Sequence, residues 1–89
     1  MSQIPEDLRL RIAEILVDRL FLDVDPGQID PQESLTQNYG VDSVRLFDFV
    51  VGLEEDFAVS FEDEELTLEN FDSLARIVAR TQAKLEAQG

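Results

Sequence analysis

Apolar residues recur along this chain at intervals of three and four, and no run alternates with a period of two. Leu8, Ile12, Ile15, Leu16 and Leu22 share one face with Arg19, the single polar residue among them, which is the spacing of an amphipathic helix. Pro5, Glu6 and Asp7 supply its start, a proline tolerated in the first turn and acids near the positive end of the helix dipole. The pattern predicts a first helix over about 5–22. A second helix is predicted over 43–57, where Leu46, Phe49, Val50, Leu53 and Phe57 form one stripe and Val44, Phe47 and Val51 another, flanked by Asp48, Glu54 and Glu55. A short third helix is expected over 62–66, with Ser60 and Asp63 in a capping relation and Phe61 and Leu66 as core contacts. The last helix, over 72–86, opens on Asp72; Phe71, Leu74, Ala75, Val78 and Leu85 share its inner face, and Arg76, Arg80 and Lys84 lie outside, toward the negative helix end.

Between the first two helices the periodicity breaks over 23–42, a long loop marked by Asp25-Pro26-Gly27 and Asp30-Pro31. Ile29 and Leu35 are its expected anchors, and Asp30 and Glu33, three apart, are placed to close a helical turn by reciprocal capping. So many acids raise the question of calcium. An EF-hand loop needs ligands at alternating positions and a glutamate at the twelfth, but counted from Asp23 the fifth residue is Gly27 and the twelfth Ser34. No metal site is read here. The prediction is an all-α single domain over 1–89.

Composition narrows the functions open to it. A chain of 89 residues, 44% hydrophobic, supports one modest core. Twenty acids against seven bases give a net charge of −13, which repels nucleic acids and anionic membrane surfaces alike. From Leu46 to Ala75 there are ten acids and no base, a field that steers basic partners toward the second half of the chain, although a solvated surface kept for solubility accounts for the same charge. Cysteine and histidine are both absent, which removes disulfides, thiolate chemistry, the usual zinc ligands and the commonest general base. Any thiol this protein uses must be supplied from elsewhere. Met1 to Leu10 lacks the basic end and apolar stretch of a signal peptide, and no apolar run reaches membrane-spanning length; a cytoplasmic monomer is the expectation.

The most informative stretch is Tyr39-Gly40-Val41-Asp42-Ser43-Val44. Asp42 is a good N-cap, so Ser43 falls in the first helical turn with its hydroxyl in solvent. Unpaired N–H groups and the positive dipole end favour a phosphodiester attached at such a place.

At these residues, and at Leu53-Glu54-Glu55-Asp56-Phe57 nine residues further on, the chain resembles the acyl carrier protein family. The similarity runs from about Leu8 to Leu85. It implies a four-helix bundle of three long helices and one short, with a long first loop. It also implies a non-catalytic carrier whose Ser43, within the Asp42-Ser43-Val44 motif, holds a covalent 4′-phosphopantetheine arm added from coenzyme A by a phosphopantetheinyl transferase. The terminal thiol of such an arm holds an acyl group as a thioester. By the same resemblance the second helix is the recognition surface for acyl-loading, condensing and modifying enzymes with basic patches, and Val44, Arg45, Phe47, Asp48, Val51, Glu54 and Glu55 take the contact roles. Tyr39 and Val44 stand where leucine is usual in fatty-acid carriers, Arg45 stands where an acid is common, and the segment 62–72 is about two residues longer. These departures leave a specialised lipid or polyketide pathway as open as fatty-acid synthesis. A peptidyl or aminoacyl carrier and an unmodified acidic interaction module are the alternatives.

Three points stay open in the sequence. The second apolar stripe suits either a helix buried on both flanks or a docking face. Gly52 costs about 1 kcal/mol relative to alanine in a helix and permits either a close helix crossing or room for a bound chain. Phe49, Val50, Phe61 and Leu66 would wall an acyl cavity if the interior opens between the second and third helices, or else fill the core. Serine catalysis is the weakest reading, because Ser43 has no histidine or cysteine to activate it and Lys84 is the chain's only lysine.

Overall fold

A computed structural model describes residues 6–88, and among them every regular element is helical. Three helices of 15 residues each carry the fold: α1 (Glu6–Leu20), α3 (Ser43–Phe57) and α5 (Leu74–Gln88). Single-turn helices α2 (Leu35–Asn38) and α4 (Leu68–Phe71) lie in the two connections, along with 3-10 turns at Pro26–Gln28 and Asp63–Glu65. Helix α1 packs against both α3 and α5, and α4 packs on α5.

The core is drawn from one stripe of each long helix. Ile12, Ala13, Leu16 and Leu20 of α1, Leu46, Phe49, Val50 and Leu53 of α3, and Leu74, Ile77 and Val78 of α5 are buried together. Phe61 and Phe71 close the stack, edge to face, with ring centroids 5.2 Å apart. Thr81 is also fully buried, and its hydroxyl donates to the Ile77 carbonyl at 2.9 Å, which satisfies a polar group that water cannot reach.

Several boundaries differ from the sequence expectation for local reasons. The Pro5 start lies outside the described residues. At its other end α1 stops at Leu20 rather than Leu22, because Phe21 takes a left-handed conformation (φ 54°) and the Leu22 N–H turns back to the Val17 carbonyl at 3.1 Å. That six-to-one closure terminates a helix even where the apolar spacing runs on. Helix α3 ends in the same manner at Ala58 (φ 54°), with the Val59 N–H on the Glu54 carbonyl.

In the long loop Asp25 caps the first 3-10 turn, while Ile29 and Leu35 are buried. Asp30 and Glu33 do not cap each other. Asp30 Oδ1 accepts from the Gln32 N–H at 2.9 Å, and Glu33 accepts from the Tyr39 hydroxyl at 3.3 Å. Beyond α3 the capping pair is Glu62 with Glu65 rather than Ser60 with Asp63, and the 3-10 turn covers 63–65 in place of a helix over 62–66. The stretch after it winds into α4, capped by Thr67.

Asp72 does not open α5, which begins at Leu74; the Ser73 hydroxyl accepts from the Arg76 N–H there. The Asp72 carboxylate reaches instead across the fold, accepting from the Ser34 hydroxyl at 2.6 Å and the Thr36 N–H at 2.9 Å. The Leu35 N–H bonds the Asp72 carbonyl and the Ala75 N–H bonds the Pro31 carbonyl. Together these stitch the long loop to the start of α5. Arg80 and Lys84, expected on the outer face near the helix end, pair with Glu65 at 3.2 and 2.7 Å, both half-buried.

Candidate functional site

The loop delivers the chain to α3 through a turn held at both ends. Val41 is buried and its N–H bonds the Leu35 carbonyl, while the Tyr39 hydroxyl meets Glu33 and the Asp30 N–H. Gly40 between them has φ 64°, with nothing within 4 Å of where a Cβ would stand. Backbone conformation, not space, therefore calls for glycine. The result fixes Asp42 in an extended conformation as N-cap, its Oδ1 accepting from the N–H groups of Val44 (2.7 Å) and Arg45 (3.3 Å).

Ser43 is the first residue of α3; it is exposed, and its hydroxyl enters no hydrogen bond among the described residues. A covalent phosphodiester fits this position, with one change from the sequence argument. Unpaired N–H groups were expected there, but Asp42 accepts from those of Val44 and Arg45, so the helix dipole more than open donors favours negative charge at this end.

The expected contact residues separate into distinct places around α3. Val44 and Val51 point outward, 76% and 51% exposed, and Asp48 and Glu55 lie exposed beside them. The second stripe is thus largely in water rather than buried on both flanks. Phe47 is the exception, half-buried against the core. Glu54 turns toward the following loop, where its carboxylate accepts from the Phe61 N–H at 2.8 Å. Arg45, two residues from Ser43 and so on another face of the helix, reaches α1: it donates to the Leu20 carbonyl at 3.3 Å and lies 6.0 Å over the Phe21 ring. These last two arrangements were not legible beforehand, because each joins residues with no periodic relation.

Gly52 has a definite neighbour. A Cβ there would overlap the Arg19 side chain, which crosses α3 at that point. The space beside the glycine is taken by the Arg19 side chain, not left for a bound chain. Phe49, Val50 and Phe61 are buried in the packed core and Leu66 packs at its edge. Beside the site a cleft of about 210 Å³ is lined by Leu20 to Asp23, Tyr39 to Val41 and Arg45. Among the described residues no cluster of acids is placed to hold a metal ion, and no helix is long and apolar enough to cross a membrane.

Residues 11–80 match the family described as "Phosphopantetheine attachment site". An acyl carrier protein of Petrotoga mobilis is 38% identical over 69 residues, spanning 73% of this chain and 79% of its own. An acyl carrier protein of Solidesulfovibrio magneticus is 33% identical over 55 residues, 62% of this chain and 68% of its own. The chain belongs to the acyl carrier protein family, and its cofactor is a covalent 4′-phosphopantetheine arm.

Proposed function

We propose that Ser43 is the attachment point of the arm, and that the protein carries acyl intermediates on it among enzymes of fatty-acid, specialised lipid or polyketide biosynthesis. The observation that carries this reading is the exposed Ser43 hydroxyl at the first position of α3, held there by the Asp42 cap within the matched region. When bound, the arm supplies a terminal thiol on which an acyl group is held as a thioester.

The chain's own part is positional. Val41 and Tyr39 fix the turn, Asp42 sets the helix start, and the dipole of α3 favours the phosphate charge. Tethering raises the concentration of the cargo at each enzyme that docks. Val44 and Val51 form the apolar centre of the docking face and Asp48 and Glu55 its acidic rim, an arrangement suited to a transient partner with basic groups. Phe47 backs that face from the core side; Glu54 contributes through the Phe61 N–H it holds. The protein acts as a cytoplasmic monomer and is itself the substrate of a phosphopantetheinyl transferase.

The test is intact mass after incubation with coenzyme A and a phosphopantetheinyl transferase. One arm is expected on the unsubstituted protein and none on Ser43→Ala. An arm that persists in that variant, or none on either, overturns the assignment.

A further inference from the structure

We propose that the surface met by the enzyme that loads Ser43 extends off α3 onto the C-terminal turn of α1, with Phe21 as its aromatic anchor. The proposal rests on the reading of Ser43 as the attachment point and adds where, and with what chemistry, the transferase seats.

Phe21 carries two features that folding alone does not favour. Its side chain is 82% exposed, and its backbone is left-handed at φ 54°. A large apolar group in water gains little for the core, and a residue with a Cβ is disfavoured in that conformation, where glycine or asparagine closes a helix more readily. The ring nonetheless has a neighbour. Arg45 reaches from the first turn of α3 to the Leu20 carbonyl and lies across the Phe21 ring. It thereby bridges the end of α1 to the helix end that bears Ser43.

An enzyme whose active site takes in the Ser43 hydroxyl has to cover this end of α3, and Arg45 brings Phe21 to the edge of the covered area. Phe21, Val44 and Val51 then supply three exposed apolar side chains, with Asp48 and Glu55 beside the valines and Arg45 beside the phenylalanine. The complementary partner surface has an apolar pocket for the Phe21 ring and a carboxylate opposite Arg45. It places basic side chains opposite Asp48 and Glu55. That mixed pattern of charge differs from a uniformly basic patch and selects among transferases.

Phe21→Gly separates docking from folding, because glycine suits the left-handed position. The rate of arm addition is measured by intact mass under kcat/KM conditions with coenzyme A and a phosphopantetheinyl transferase, beside a thermal melt. Phe21→Gly and Phe21→Asn are expected to load to completion but roughly tenfold more slowly, the size of a moderate hot spot, with Tm within about 4 °C of the unsubstituted protein. Leu10→Ser, which removes an exposed apolar residue further back on α1, is expected to load at the unsubstituted rate. Equal rates for the Phe21 variants overturn the proposal, as does a Tm loss that accounts for slow loading. No arm on the unsubstituted protein removes the carrier reading itself, and this inference with it.

Discussion

The Asp72 carboxylate receives the Ser34 hydroxyl at 2.6 Å, a contact between residues 38 positions apart that ties the long first loop to the start of the last helix. With the Thr36 N–H on its other oxygen, one acidic side chain satisfies both the capping hydroxyl and a first-turn backbone donor of α2. Asp72→Ala leaves those donors without their charged acceptor, and hydrogen bonds to charged groups contribute about 1.5–3 kcal/mol. Urea denaturation is expected to show a loss of about 2 kcal/mol at neutral pH; a loss under about 0.5 kcal/mol, the range of ordinary surface changes, would show that the loop is held elsewhere.

The same carboxylate and Glu65 set the acid side of the stability profile. Burial pushes the Asp72 pKa up, but the bonds from Ser34 and Thr36 outweigh it and leave the group below its ordinary value. At Glu65 the Lys84 ammonium, followed by the Glu62 N–H, likewise lowers the carboxyl. Groups depressed in the folded state contribute stability above their unfolded pKa, near 4, and lose it as pH falls through the folded value. Protonation of other acids meanwhile relieves the repulsion within a chain of charge −13. Melts from pH 7 to pH 2.5 should therefore show Tm steady or rising to about pH 5 and falling below about pH 4. Asp72→Ala should flatten that acid limb; an acid limb as steep as before in the variant would count against the assignment.

Glu54 and Glu55 are neighbours with different tasks. Glu54 holds the Phe61 N–H, so Glu54→Ala is expected to cost about 1–3 kcal/mol, while Glu54→Gln, which keeps an acceptor, costs little. Glu55→Lys and Asp48→Lys reverse exposed charges and should slow arm addition at low salt without changing the melt. The measurement is loading rate against ionic strength. A rate that is independent of both substitution and salt would remove this face from docking.

Gly52→Ala tests the crossing of α1 over α3. The overlapping atoms belong to the outer part of the exposed Arg19 side chain, which can swing aside. Alanine also gains about 1 kcal/mol of helix propensity over glycine. A net stabilisation of about 0.5–1 kcal/mol is expected by chemical denaturation; a loss of similar size would mean that Arg19 is needed where it lies.

These arrangements mark where sequence reasoning reaches and where it stops. The span of α3 and the Asp42 cap were legible because both depend on contacts within one helical turn. Leu22 continued the apolar spacing of α1, yet the backbone reversed at Phe21, a left-handed step that no hydrophobic pattern announces. Asp72 and Ser73 are both good capping residues, and only the approach of Ser34 from the distant loop decides that Asp72 is used elsewhere and Ser73 caps. Ile77, three residues after Leu74, was legible from the spacing although the expected inner face omitted it, whereas Thr81 was not. Thr81 reads as polar until its hydroxyl is seen to donate back to the Ile77 carbonyl. Glu54 and Glu55 look alike in a chain of acids, and the Phe61 N–H alone tells them apart.

The ion pair between Lys84 and Glu65 bears on the chemical lifetime of a tethered cargo. Thioesters are consumed by amines and thiols, and this chain has no cysteine, no histidine and a single lysine. That lysine is engaged by a carboxylate at 2.7 Å and lies against the Phe61 ring. The polypeptide thus offers its own activated ester almost no side chain able to intercept it, leaving the transfer to whichever enzyme arrives.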